Sequence, residues 1–143
     1  MPDYKVRLDF LRTLHYEATR SGLDPQIVLA LIQVESNFRK YAVSSAGARG
    51  FMQVMPFWVG LIGRKGDNLF SLRTNLRFGC VILKHYLDME KGNLTRALAR
   101  YNGSLGKSGY PDLVYRALRS TWRYEQPPHR AQSSIWLKDE LLL

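Results

Sequence analysis

The chain has 143 residues, is 45% hydrophobic, and sets 21 lysines and arginines against 12 aspartates and glutamates, a formal net charge of +9. That is long enough for one domain with a core of its own, and the apolar content is ordinary for a globular protein. No apolar run has membrane-spanning length, the start Met1-Pro2-Asp3-Tyr4 lacks the basic-then-apolar pattern of a secretion signal, and the lone Cys80 excludes an internal disulfide. The charge implies attraction to polyanions. No nucleic-acid-binding signature accompanies it, and the arginines are spread along the chain rather than clustered.

Tyr4 to Arg20 reads as a first helix, with Leu8, Leu11, Leu14 and Ala18 on one face and Gly22 as a C-terminal stop. Asp24 and Pro25 then supply an N-cap and a first-turn proline, so a second helix starts at Pro25 and delivers Glu35 to its last turn. Its residues Ile27, Val28, Leu29, Ala30, Leu31, Ile32 and Val34 occupy nearly every side of the wheel. Such a helix has to be surrounded by other elements, which makes it the expected centre of the core. A carboxylate among apolar neighbours, at the negative end of a helix dipole, has its pKa raised on both counts, which is what a general acid requires. On position alone, Glu35 is read equally well as a solvated glutamate at a helix end or as one paired with Arg39 or Arg49.

Ser44 and Ser45 lead into Gly47-Ala48-Arg49-Gly50, where two glycines allow positive φ and close approach of backbone to a ligand. Phe51 to Pro56 looks like a short helix closed by proline. Phe57 to Gly66 reads as another, running into a loop near Arg64 to Asn68, with Trp58 equally a sugar-stacking or a core residue. The helix predicted from Asn75 to Met89 carries Leu76, Cys80, Leu83 and Leu87 on one face, so Cys80 is expected to be a buried, inert thiol. Asn93 caps a helix from Leu94 to Tyr101, with Gly103 just past its end.

Gly103 to Gly109 is a glycine-rich loop, and Pro111 starts a last body helix through Tyr124 with Val114, Leu118 and Trp122 inward. The body is therefore expected over 1–126 and a tail over 127–143, the tail folding back on the body or contacting a neighbour. No strand run is convincing, and the expected fold is all-α. His15, His85 and His129 lack ligand spacing, so no metal and no other cofactor is expected.

The run Glu35-Ser36-Asn37-Phe38, then Ala42 to Pro56 (A-V-S-S-A-G-A-R-G-F-M-Q-V-M-P), resembles the signature of the lytic transglycosylases with a soluble-lytic-transglycosylase catalytic domain, relatives of goose-type lysozyme. Asn75-Leu76-Arg77-Phe78-Gly79 resembles that family's N-I-x-x-G helix, and Ala97 to Gly103 its A-L-A-x-Y-N-x-G motif. The blocks come in family order, and the likeness covers roughly Leu23 to Tyr124. Phe51 stands where the family often has leucine.

The resemblance implies a lysozyme-like helical domain that cleaves the bond between N-acetylmuramic acid and N-acetylglucosamine in peptidoglycan strands, leaving a 1,6-anhydromuramyl end. It makes Glu35 the acid and then the base. Ser44 and Tyr101 become polar partners at the reacting centre, Tyr101 orienting Glu35, and Gln53, Met55 and Asn102 line the glycan groove. It also implies work in the periplasm or cell envelope, without nucleic acid as partner and without stable membrane insertion. The rival readings are a hydrolytic muramidase acting on the same bond, a glycan-binding module without activity, and a basic nucleic-acid binder.

Overall fold

A computed structural model describes residues 1–123, so the tail expected over 127–143 and the end of the last helix at Tyr124 lie outside the described residues. Within them the chain forms α1 (Tyr4–Arg20), α2 (Pro25–Ser36), α3 (Phe57–Ile62), α4 (Leu72–Met89), α5 (Leu94–Asn102) and α6 (Gly109–Ala117), which runs on as a π-helical turn over Leu118–Trp122. No strand is present among the described residues, and the fold is all-α.

The helix starts follow from side-chain caps that satisfy amides left without intrahelical partners. The Asp3 carboxylate accepts from the Lys5 and Val6 amides at α1, Asp24 accepts from Gln26 at α2, and the Asn93 side-chain oxygen accepts from Arg96 at α5. Two helices start earlier than the residue pattern indicates, α4 at Leu72 rather than Asn75 and α6 at Gly109 rather than Pro111.

α2 takes the central place. Its residues Val28, Ala30, Leu31 and Ile32 are buried, and the half-buried Ile27, Leu29 and Val34 pack on the same apolar cluster. α1, α6 and the π-helical turn lie against it, while α4 packs on α1 and α5. The inward face of α1 keeps Leu14 and Ala18 of the expected face but is turned away from Leu11. Phe10, Thr13, Leu14, Glu17 and Ala18 are buried and Leu11 is 45% exposed. The face is set by Phe10, whose ring meets Phe51 and Phe38 edge-on at centroid distances of 5.0 and 5.8 Å. Glu17, buried near Arg20 (3.6 Å) and Arg77 (3.9 Å), ties α1 to α4. Burial, with the Glu17 charge adding to it, pushes the nearby Cys80 thiol up to about 12.

Phe51 to Pro56 is not the helix that its composition suggests. Arg49 and Val54 exchange backbone hydrogen bonds of 3.0 Å in both directions, with Val43 bridged to the other side of Arg49. The turn between them needs left-handed backbone at Gly50 (φ 77°) and Gln53 (φ 53°), which interrupts any helix. A side chain at Gly50 would place its Cβ 2.8 Å from the Leu69 carbonyl oxygen, so the position requires glycine twice over.

Asn75 holds this turn from α4. Fully buried, it accepts from the Met52 amide (2.8 Å) and donates to the carbonyls of Arg49 (2.9 Å) and Leu69 (2.8 Å). Gly79 lies one helical turn further along the same face. A Cβ there would stand 2.7 Å from the Met52 Cβ, so its absence is what lets Met52 seat. The spacing of Asn75 and Gly79 is therefore a lock for the turn beside Glu35.

Candidate active site

The last turn of α2 carries Glu35, and the three residues after it aim the carboxyl. Ser36, 1% exposed, donates its hydroxyl to the Phe51 carbonyl (2.8 Å) and anchors the helix end to the turn. Asn37 (φ 50°) and Phe38 (φ 63°) reverse the chain through consecutive left-handed residues. Asparagine tolerates that region; phenylalanine does so at a cost on the order of 1 kcal/mol, which its packing must offset. The Phe38 ring is held by Phe10 at 5.8 Å and Trp122 at 5.6 Å.

Glu35 thereby opens into a cleft of about 640 Å³ that Lys40, Tyr41, Ser44 and Gln53 help to line. Among the described residues it is the one carboxylate that lines the cleft. Burial raises its pKa from 4.5 to about 7, and a hydrogen bond from Tyr110 pulls the other way without cancelling it. No pairing with Arg39 or Arg49 is present. The Arg39 Nε donates instead to the Ser36 carbonyl at 2.9 Å.

The cleft brings together some of the residues expected there. Ser44 lines it, its Oγ accepting from the Ala48 amide (3.0 Å), so that its own proton is left to donate. Gln53 lines it too, with its amide nitrogen donating to the carbonyls of Ala42 and Gly50 at 3.0 Å each and its side-chain oxygen left as an acceptor. Met55, half-buried, and Asn102, exposed at the end of α5, are not among the lining residues.

Tyr101 differs from its expected part. Its hydroxyl donates to the Met52 carbonyl at 2.6 Å, so it holds the turn rather than the carboxyl. The hydroxyl on Glu35 belongs to Tyr110, which donates to Oε2 at 2.7 Å. α6 packs against α2 and brings Tyr110, the residue before Pro111, up to the end of the central helix. Burial first, and the Glu35 charge after it, push both phenols well above 10, so both stay protonated donors. A bulky aromatic directly after a glycine-rich loop was the available signal for Tyr110, and the loop's composition masked it.

A raised carboxyl at the end of a buried helix, a phenol donating to it and a hydroxyl-bearing glycine loop thus meet at one open cleft. Residues 12–111 match the family described as the transglycosylase SLT domain. The chain belongs to that family. Among its relatives, the transglycosylase of Enterobacteria phage PRD1 is 28% identical over 103 residues, 72% of this chain and 38% of that protein. Membrane-bound lytic murein transglycosylase C of Yersinia pestis is 31% identical over 113 residues, 68% of this chain and 32% of that protein. The SLT chain thus spans about a third of the length of these curated relatives. Among solved structures, an inactive mutant of the lytic transglycosylase Slt from Pseudomonas aeruginosa superimposes with a TM-score of 0.58 at 25% identity, over 77% of this chain and 20% of that one.

Proposed function

We propose that this SLT domain is a peptidoglycan lytic transglycosylase, and that Glu35 carries both proton transfers. The observation that bears the reading is a cleft carboxylate with its pKa raised to about 7, the one carboxylate that lines the cleft among the described residues. Glycosidases that use water ordinarily place a second carboxylate across the scissile bond. With one among the described residues, attack by a group of the substrate itself accounts for cleavage without a second carboxylate. The neutral Glu35 gives its proton to the oxygen bridging N-acetylmuramic acid and N-acetylglucosamine, and the bond from that oxygen to the muramyl anomeric carbon breaks. The Glu35 carboxylate so formed then removes the proton of the muramyl C6 hydroxyl as its oxygen bonds to the anomeric carbon. The products are a free N-acetylglucosamine 4-hydroxyl and a 1,6-anhydromuramyl end, with Glu35 protonated as at the start.

Attack from within the same sugar avoids the entropy of recruiting water, which compensates for the missing base. Tyr110 supports the cycle by donating to the carboxylate when it is charged. Ser44, with a free donor, and Gln53, with a free acceptor, face the strand. Tyr101 acts through Met52, holding the wall on which the strand lies.

The names of the relatives, a lytic murein transglycosylase and a phage transglycosylase, support the same substrate and a place of work in the cell envelope. Among the described residues no helix is long and apolar enough to cross a membrane. Replacing Glu35 by glutamine tests the assignment. The amide cannot donate a proton as an acid, so release of soluble muropeptides from purified peptidoglycan should stop while the circular dichroism spectrum stays that of the parent. Turnover at the parent rate by the folded variant would remove Glu35 from the mechanism.

A further inference from the structure

α3 and the loop after it take no part in the site described above, yet they hold large apolar side chains out to solvent. No residue from Phe57 to Gly66 is buried. Trp58 and Val59 pack on the core from one side, Trp58 meeting Tyr86 of α4 edge-on at 6.2 Å. Phe57 (56% exposed) and Leu61 (67%) stand one turn apart on a face turned to solvent, and Ile62 (46%) follows at the helix end. From Phe57 to Gly63 the one polar side-chain atom is the Trp58 indole nitrogen. Single apolar side chains on a surface need no explanation, but three large ones grouped on one short segment mark a contact surface.

The loop fixes two cations beside this stretch. Gly63 lies against the Phe78 ring, and a Cβ there would stand 2.7 Å from the Asp67 carboxylate, so glycine suits the exit from α3. The Asp67 carboxylate accepts from the Arg64 amide at 2.8 Å and closes the turn. Arg64 and Lys65 are thereby exposed within three residues of Ile62. Among the described residues, neither is within ion-pairing distance of a carboxylate.

The chemistry of the segment selects what covers it. Protein partners are held by about one hydrogen bond per 100–200 Å² of interface, and this stretch offers a single indole donor. A lipid surface needs none, because it takes apolar side chains into the acyl boundary and meets flanking cations with anionic headgroups. The formal net charge of +9 acts in the same direction. We propose that α3 with Arg64 and Lys65 is a docking surface for an anionic phospholipid membrane, Phe57, Leu61 and Ile62 entering the interface and the two cations meeting headgroup phosphates. The contact is peripheral and reversible, and among the described residues no helix is long and apolar enough to cross a membrane. It does not depend on the glycan reading of the cleft.

The test is cosedimentation of the full chain with vesicles of phosphatidylglycerol and phosphatidylethanolamine, and with vesicles of phosphatidylcholine alone. Anionic vesicles should bind roughly tenfold or more tightly than neutral ones at low salt, and the preference should fade as salt is added. Arg64→Gln with Lys65→Gln should weaken anionic binding about 25-fold, about fivefold for each cation. Leu61→Gln with Ile62→Gln should weaken it on the order of tenfold or more, with the circular dichroism spectrum of the parent retained. Arg12→Gln with Arg73→Gln, an exposed pair on α1 and α4, serves as the control for net charge and should cost far less. Equal weakening by that control would assign the attraction to the charge of the whole protein and overturn the surface. No binding to either vesicle, equal binding to both, or anionic binding that the two α3 and loop variants keep would overturn it as well.

Discussion

Glu35→Gln has a consequence for stability that is independent of any assay of cleavage. The folded protein holds the Glu35 proton with a pKa of about 7, whereas an unburied glutamate has 4.5. The folded state therefore binds more protons than the unfolded chain between these values, and stability falls as pH rises through that window. The stabilising contribution is fully present below pH 4.5 and gone above pH 7. Each tenfold change in proton affinity corresponds to about 1.4 kcal/mol, so the wild type loses about 3 kcal/mol from this one group between pH 4 and pH 8. The glutamine variant has no such term, and the other titrating groups cancel when the two proteins are compared. With a urea dependence of about 2 kcal/mol/M, the variant's unfolding midpoint should gain on the wild type by about 1.5 M across that range. Urea titrations of both proteins at pH 4, 6 and 8 read this directly. A midpoint difference that stays constant with pH would refute the burial argument on which the acid role of Glu35 rests.

Tyr110 and Tyr101 should separate cleanly. Tyr110→Phe removes a donor that lowers the Glu35 pKa, so the alkaline limb of the pH–rate profile should move upward and the rate drop roughly tenfold or more, the worth of a hydrogen bond to a charged group. Tyr101→Phe leaves the Met52 carbonyl without its donor, so it should cost about 1 to 2 kcal/mol of stability in urea and leave that limb in place. A shifted limb in the Tyr101 variant and not in the Tyr110 variant would reverse the assignment. Asn75→Ala strips partners from Met52, Arg49 and Leu69 at a fully buried position and should cost about 4 kcal/mol, and a loss below about 1 kcal/mol would show that the turn is held by something else.

The parts of the fold written in local chemistry were legible in the sequence. Asp24 with Pro25 marks the start of α2, its unbroken apolar run marks it as central, and Asn93 marks the start of α5. The same start and run put Glu35 in the last turn of α2, while position alone left its role open and the motif resemblance supplied it. What escaped depends on partners far apart in sequence. Phe10 beats Leu11 for the core because it meets Phe51, and the helical composition of Phe51 to Pro56 is overruled by Asn75 and by left-handed backbone at Gly50 and Gln53. The exchange of tyrosines has the same origin. The motif puts a phenol near Glu35, but which of Tyr101 and Tyr110 bonds to it is decided by how α5 and α6 pack.

The central claim is that the nucleophile belongs to the substrate, and the products record it. Purified peptidoglycan is incubated with the protein and the soluble fragments are weighed by mass spectrometry. Muramyl ends lighter by one water, and resistant to borohydride reduction, are the predicted result, because the C6 oxygen has closed on the anomeric carbon. Reducible ends at the full hydrated mass would contradict it, for they would mean that water attacked and that the cleft activates it by a group other than Glu35.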